Sequence, residues 1–504
     1  MPKNLIDLHE KAKSYDWQFT YAEQEPKFAS KYTMPKKGKD PFRTLVRDYM
    51  KMEAEKDDRT HGFLDGCLRM GMAEQVEPRF LEILKVTLPD INNAEFQAVA
   101  ACGGIISSVQ NQELRHGYLA QMLDEIRHAQ IQLGLRHYYV KHALDPAGWD
   151  LGQKALYQHP GGLVSIGEMY HFHTGDPIDC IIDLNVIIET AFTNMLLVAT
   201  PQVAVANGDH ALATAFLSIQ SDESRHMANG YGTLMAVLSD PSNIPHVNAA
   251  LERHFWHAHK AVDAITGFQA EYGARRRPWA YKNQWQEWIV DDFISGYIRR
   301  LEPFGVKPPE RLRQAAEDVT WMQHTIAQVM ATVWPLNFWR SDTMEPGDYE
   351  WFEQQYPGWT SVYGPFWDRY RTMIDPAGGH IPMQDLPALP PFCQVCQLPC
   401  VLPRLDQNQF RLVDVGGKKY AACSEGCEWV LRNWPGCYTH RRQFWARYHG
   451  WDLADVISDL GYIRPDGQTL IGQPALNLKR MWTIEDIRKL QYEVKDPLHG
   501  VNGD

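Results

Sequence analysis

Between Arg79 and Trp334 apolar residues recur at three- and four-residue spacing over long stretches. That is the period of helices with one buried stripe. Glu95 to Lys141 contains no proline, and Asn207-Gly208-Asp209 is a strong turn signal between two helical stretches. The pattern predicts a mainly α chain with a helical domain over residues 61–335. Residues 1–60 are polar and mixed, with Pro26, Pro35 and Pro41, and read as an arm or docking segment. After Pro335 the texture changes, with dense aromatic residues, glycines and prolines (YPGWTSVYGPFW, LPALPPF). Residues 336–391 are therefore expected to be irregular and packed on the helices. Residues 392–440 bear cysteines and form a small module, and 441–504 form a tail.

Two motifs on the helical part carry chemistry: Glu125-Ile126-Arg127-His128 and Glu223-Ser224-Arg225-His226. Residues three apart share a helix face, so each motif offers a carboxylate and an imidazole to one point. One such motif is common by chance and usually marks a surface pair. Two motifs, joined by a lone Glu from each of two more helices, are the ligand set of carboxylate-bridged diiron bundles. The lone glutamates follow from geometry. A ligand on an antiparallel partner sits at the same height, so the chain runs out about fifteen residues and back, about 22 Å each way. Thirty residues before Glu125 stands Glu95, and thirty-four before Glu223 stands Glu189, with Asn207-Gly208 near the middle of the second interval. Glu189 is flanked by Val186, Ile187, Ile188, Ala191 and Phe192, and a carboxylate in that setting needs a partner. Asp124 and Asp222 precede the motif glutamates, where either can take the second N–H of a ligating histidine. Arg127 and Arg225 hold matching places and can balance the acidic cluster.

The segments HGYLAQMLDEIRHAQ, IIETAFTN, SDESRHMANGY, YPGW and RPDGQTLIGQP resemble the large hydroxylase subunit of bacterial soluble diiron monooxygenases. The likeness runs from about residue 40 to 495 and looks closest to the methane and short-chain alkene branch. Phenol and toluene hydroxylases are similar but more distant around the iron ligands. The resemblance implies a ferritin-like diiron bundle with additional helices. Glu95, Glu125 and His128 would ligate one iron and Glu189, Glu223 and His226 the other. Thr193 and Asn194 match a Thr-Asn pair beside the irons, with the hydroxyl assisting proton delivery, and Gln220 matches a polar gate position. The substrate pocket would be lined at Ile91, Ala98, Phe172, Leu184, Ile188, Phe192, Leu197 and Ile219. Ile188 is bulky where the methane enzyme has a small residue, and Glu168 falls where an apolar residue is expected.

The implied activity is oxygen insertion into a small hydrocarbon, by epoxidation of short alkenes or hydroxylation of short alkanes. An aromatic hydroxylase is the alternative. The chain carries no flavin or NAD fingerprint. Electrons would therefore come from a separate reductase, and the resemblance implies that it carries FAD and an iron–sulfur cluster and draws on NAD(P)H, with smaller hydroxylase subunits and a coupling protein as further partners. A radical-generating subunit is disfavoured, because Gln132 stands where such proteins place a tyrosine. Iron stores on this bundle are shorter chains without the aromatic and cysteine-bearing additions.

Six of the nine cysteines lie between Cys393 and Cys437, which points to metal in a reducing compartment rather than a disulfide framework. Cys393-x-x-Cys396 and Cys423-x-x-x-Cys427 flank a strand-like stretch, QFRLVDVGGKKYAA. Paired knuckles around a hairpin make a tetrahedral structural zinc site, with Cys400 as a rival ligand. The module resembles small YHS-type metal modules, and phenol hydroxylase large subunits carry similar text at this place. The net charge of −12 argues against nucleic acid as partner. The N-terminus has no apolar stretch of the secretory kind. The most apolar stretch, 184–206, contains Glu189, Asn194 and Pro201 and reads as a buried helix rather than a membrane span. A cytoplasmic protein is expected.

Overall fold

The computed structural model describes residues 29–35, 46–109, 111–142, 172, 175–332, 344–368, 393–396, 411–439 and 466–468. Cys400, Glu168 and nearly all of the expected tail lie outside them.

Six long helices build the core: α1 Val46–Arg69, α2 Pro78–Ser108, α3 Gln112–His142, α4 Pro177–Ala206, α5 His210–Val237 and α6 Ile244–Glu271. Their ends obey local chemistry. Glu77 caps α2 by accepting from Phe80 N, with Pro78 in the first turn. Asp176 caps α4, with Pro177 next to it. The proline-free stretch is divided between α2, which ends at Ser108, and α3, which starts at Gln112, where the Asn111 side chain accepts from Glu113 N and Leu114 N. The expected turn at 207–209 is there. Asp209 accepts from Leu212 N and from the Tyr139 hydroxyl. Gly208 takes φ +83°, and a Cβ on it would meet Gln75 O at 2.6 Å, so only glycine fits.

Helices α2 with α3 and α4 with α5 form two antiparallel pairs. Contact between α3 and α5 joins them, and α6 covers α4. Helix α4 is apolar enough to cross a membrane by composition, but 89% of its most apolar window is buried in the protein; it is the core helix of the bundle. Its central part, Ile182–Phe192, is a π-helix, a form that concentrates at functional sites. Helix α1 begins at Val46 and runs through residue 60 as a continuous helix, with Tyr49 and Glu53 buried against the bundle. The expected arm thus yields to a core helix at its end, because those two side chains find polar partners on α3 and α5.

Shorter helices follow: α7 Tyr281–Trp285 (prolonged by a π stretch, Gln286–Tyr297), α8 Leu312–Asp318 and α9 Met322–Thr332. Within 336–391 the described part is helical rather than irregular: α10 Pro346–Gln355 and α11 Trp359–Val362. A capping box between Glu345 and Asp348 starts α10. Its aromatics stack on the end of α6, with Phe352 against Tyr272 and Trp359. The cysteine module has the expected hairpin, β1 Arg411–Val415 antiparallel to β2 Lys418–Ala422, then α12 Glu425–Asn433 and α13 Pro435–Tyr438.

Candidate metal centre

Helices α2, α3, α4 and α5 bring Glu95, Glu125, His128, Glu189, Glu223 and His226 together. His128 Nδ1 faces Glu95 Oε2 at 3.7 Å, Glu125 Oε2 at 3.5 Å and Glu223 Oε1 at 3.9 Å. His226 Nδ1 faces Glu125 Oε1 at 3.5 Å, and both Glu189 Oε1 and Glu223 Oε2 at 3.3 Å. Glu125 and Glu223 therefore each turn one oxygen toward each imidazole, which is the placement of bridging carboxylates. The rings lie 5.6 Å apart.

The far nitrogens are held in a crossed pattern. His128 Nε2 is 3.2 Å from Asp222, which lies on the other motif's helix, and His226 Nε2 is 3.2 Å from Asp124. This fixes both rings with Nδ1 pointing inward. Both Nδ1 atoms, with Glu189 Oε2 and Glu223 Oε2, are buried without a hydrogen-bond partner. Buried polar atoms left this way are costly. Two divalent ions would satisfy them and balance the four carboxylates, so the donor set fits a pair of oxygen-preferring metal ions.

The electrostatics agree. Burial pushes the carboxyls of Glu95, Glu189 and Glu223 above their usual range. Burial opposes charge on His128, but Asp222, Glu125 and Glu95 outweigh it and hold the imidazole well above its ordinary value. For His226, Glu125, Glu189 and Glu223 do the same.

An acidic outer layer carries its own cations. Glu53, Asp124 and Asp222 converge, and Arg225 Nη2 lies 2.9 Å from all three. Arg127 reaches Asp222 and Asp57, each at 2.6 Å, and Lys56 pairs with Asp222. The Tyr49 hydroxyl donates to Asp124 at 2.7 Å.

Several contributors were not named from sequence as parts of this centre, Tyr49, Asp57 and Asn185 among them. Gln121, one turn before Glu125, donates to Glu125 at 3.1 Å and Glu189 at 2.9 Å, while accepting from Asn185 at 2.8 Å. Gln132 donates to Glu95 at 2.6 Å. Glu53 and Lys56 come from α1. A polar residue one helical turn before or after a motif residue was the available signal for Gln121 and Gln132; nothing local marks Glu53 or Lys56.

A cavity of about 830 Å³, counted to its open mouth, has Glu95, Glu125, Glu189 and Glu223 in its lining. Of the expected pocket residues, Ile91, Ala98, Leu184, Ile188 and Leu197 line it, and so does Thr193. The Thr193 hydroxyl donates to Ile188 O. Phe172, Phe192 and Ile219 do not line it: all three are buried in the packed core, and Phe192 sits 5.6 Å from Phe255 on α6. Asn194 is buried and Gln220 partly buried, and neither is among the lining residues. The wall supplied by α6, with Ala261, Val262, Ile265 and Thr266, has no counterpart in the sequence reading.

The second cluster is Cys393, Cys396, Cys423 and Cys427. All four are buried, with sulfurs within 4.8 Å of one another. Cys396 and Cys423 are 3.5 Å apart, and Cys423 and Cys427 3.7 Å.

Residues 17–241, which span both Glu-x-x-His motifs, match the model of the methane/phenol/alkene hydroxylase family. The large subunit of the propane 2-monooxygenase hydroxylase component from Mycolicibacterium smegmatis is 38% identical over 96% of this chain and 93% of its own. The methane monooxygenase component A alpha chain of Methylosinus trichosporium is 34% identical over 98% and 94%. Among solved structures, phenol hydroxylase from Pseudomonas sp. OX1 shares the fold, with a TM-score of 0.79 at 21% identity, over 94% of this chain and 99% of the other. The chain therefore belongs to the methane/phenol/alkene hydroxylase family, as a hydroxylase component of a diiron monooxygenase.

Proposed function

We propose that this chain is the oxygenase subunit of a multicomponent alkane monooxygenase. It would hydroxylate short alkanes such as propane, and epoxidise short alkenes in the same cavity. The observation that carries this reading is the inward-facing pair of imidazole nitrogens, which make no hydrogen bond and face four glutamates in the lining of an apolar cavity. The relatives named for propane and methane are 38% and 34% identical to this chain, against 26% and 23% for relatives named for phenol and alkene, which puts alkanes ahead of alkenes and aromatics.

Glu95, Glu125 and His128 would hold one iron and Glu189, Glu223 and His226 the other, with Glu125 and Glu223 between them. When bound, the iron pair would supply oxygen activation, with one atom of dioxygen entering a C–H or C=C bond and the other leaving as water at the expense of two electrons from the reductase. The residues do the rest. Asp124 and Asp222 keep each Nε2 engaged, so that Nδ1 faces the metals. Gln121 steadies Glu125 and Glu189 together. Ile91, Ala98, Leu184, Ile188 and Leu197 exclude water and hold an apolar substrate above the glutamates. Thr193, with Asn194 beside it, presents a hydroxyl at the cavity wall, suited to relay a proton once it leaves the Ile188 carbonyl; Gln220 would act as a polar gate.

The four cysteines would hold a structural zinc. They form a closed set of four soft donors, as such sites require. The reading also calls for smaller hydroxylase subunits, a coupling protein and an NAD(P)H-dependent flavin/iron–sulfur reductase. The experiment is product analysis of the reconstituted system with propane, propene, toluene and phenol. Alcohol from propane as the main product is expected; turnover of phenol or toluene in preference to propane would overturn the reading.

A further inference from the structure

Helix α6 is held between the two clusters. On one side Ala261, Val262, Ile265 and Thr266 line the apolar cavity. On the other, the Trp256 indole N–H donates to Cys427 Sγ at 3.4 Å. Lys260 Nζ stands 5.0 Å over the Trp256 ring. At about 100° per residue, Trp256 and Lys260 fall about 40° apart, and Ile265 lies about 180° from Trp256. The two faces of one helix thus serve the two sites.

The contact with the cysteine module is close. A Cβ on Gly426 would stand 2.1 Å from the Trp256 ring, so glycine is what lets the first turn of α12 reach the indole. Ser424 caps that turn by accepting from Cys427 N. Movement of Cys427 is therefore passed directly to Trp256.

Lys260 adds charge to the coupling. It is buried, and Asp318 on α8 pairs with it. Burial works against its charge, and Asp318 with the sulfurs of Cys423, Cys427 and Cys396 more than offsets that effect. A divalent ion held by four thiolates leaves the site with excess negative charge. An ammonium and an indole N–H are the groups that stabilise such a site from outside its ligand set. Asp318 also meets His259 at 3.3 Å, His259 meets Asp263 at 2.6 Å, and Asp263 accepts from Trp285 at 2.8 Å. This chain of polar contacts ties α6 to α7 and α8.

We propose that Trp256 and Lys260 are positioning residues through which a metal in the four-cysteine site holds helix α6 and so shapes the substrate cavity. This rests on the zinc reading above. The cysteine module would then act on selectivity: which carbon of a linear alkane lies over the glutamates depends on where the α6 wall stands. No electron or atom passes between the two sites.

The test uses the complete hydroxylase, reconstituted with its reductase and coupling protein. In Trp256→Phe, which keeps the ring but loses the N–H, and in Lys260→Met, zinc should leave to an excess of a colorimetric chelator at least tenfold faster. The ratio of 1-propanol to 2-propanol from propane should change at least twofold. Arg411→Ala, an exposed substitution on β1 of the same module, should change neither. A measurement on the unaltered protein covers the case in which the variants fold poorly. After zinc is stripped with a thiol-specific mercurial, amide hydrogen exchange should accelerate across residues 256–266 and stay unchanged around residue 125. Absence of zinc from the purified wild-type protein would overturn the zinc reading itself. Zinc present, with an unchanged product ratio in the variants and unchanged exchange in α6, would overturn this proposal and leave the zinc reading standing.

Discussion

The two metal-competent clusters are built by opposite routes. The cysteine set is assembled by two short segments around a hairpin and one helical turn. The carboxylate–histidine set draws on four long helices, over a stretch from Glu95 to His226. The first is closed, with all its sulfurs facing one another, as a site that holds structure must be. The second opens onto a cavity through its glutamates. They also differ in support. Among the described residues the cysteines have the Trp256 indole N–H and the Ser424 hydroxyl as polar neighbours, with the charge of buried Lys260 acting on them from further off. The carboxylates and histidines have a full outer layer, in which Arg127, Arg225 and Lys56 neutralise Asp124, Asp222 and Glu53. An open site that must keep its geometry while substrate enters needs its orientation fixed from behind. A closed site fixes its own.

The sharpest way to break this contrast is to empty each cluster separately. Glu189→Ala or His226→Ala should take iron from about two per chain to none and abolish oxidation, while leaving zinc in place. Cys423→Ser should lose zinc and soluble yield, since structural zinc binding is itself folding free energy, yet the folded remainder should keep its iron. Metal analysis of both variants decides. Loss of both metals together from either variant would mean that the clusters are not independent in folding.

Next in size is the outer layer. Arg225→Ala leaves Asp124, Asp222 and Glu53 buried beside one another with less compensation. Removing one partner of a buried pair costs about 3–5 kcal/mol, so thermal denaturation should show a clearly lowered midpoint. The equivalent cut at the exposed pair of Arg432 and Glu428 should cost about 0.5 kcal/mol or less.

The crossed pairing predicts an equality. Asp124→Asn loosens His226, and Asp222→Asn loosens His128. Each should lower iron affinity or activity by about 10–100-fold, with iron titration of the emptied protein as the measurement. If Asp222→Asn disturbed His226 rather than His128, as followed by spectroscopy of the metal-loaded pair, the crossing would be wrong.

The smallest effect is expected at the cavity wall. Ile188→Ala removes a few methylenes next to a glutamate. Hydrophobic pockets discriminate by about 1–3 kcal/mol per methylene, and an open mouth favours the low end. Competition between propane and a branched or aromatic substrate should shift toward the bulkier one; an unchanged ratio would take Ile188 out of substrate selection.

Much of the inner cluster was legible because helices repeat. Glu125 with His128, and Glu223 with His226, share faces by spacing alone. Glu95 and Glu189 follow from the length of a helical hairpin, and the end of α2 at Ser108, the start of α3 at Gln112 and the turn at 207–209 stand where that length puts them. The cysteine hairpin was legible for a similar reason, since Gly416-Gly417 with positive φ joins two short strands. The cavity list was legible only in part. The list came from the family resemblance and not from periodicity: Ile91, Ala98, Leu184, Ile188 and Leu197 are in the lining, whereas Phe172, Phe192 and Ile219 pack in the core, and nothing in the hydrophobic pattern separates the two groups.

What the sequence determined by itself is whatever a single helix or hairpin repeats: the motif faces, the turn positions, the buried character of α4, the paired cysteine knuckles. Tertiary structure decided which aspartate serves which histidine, that Glu53 and Tyr49 of α1 belong to the centre, and that α6 walls the cavity with one face and meets the cysteine module with the other. The physical reason is range. Backbone periodicity and capping act over a few residues and are written in adjacent letters. Charge pairing between Asp124 and His226, or the seat of Trp256 against Gly426, joins residues about a hundred or more positions apart. Those meet only when the packing of whole helices has settled how they lie against one another.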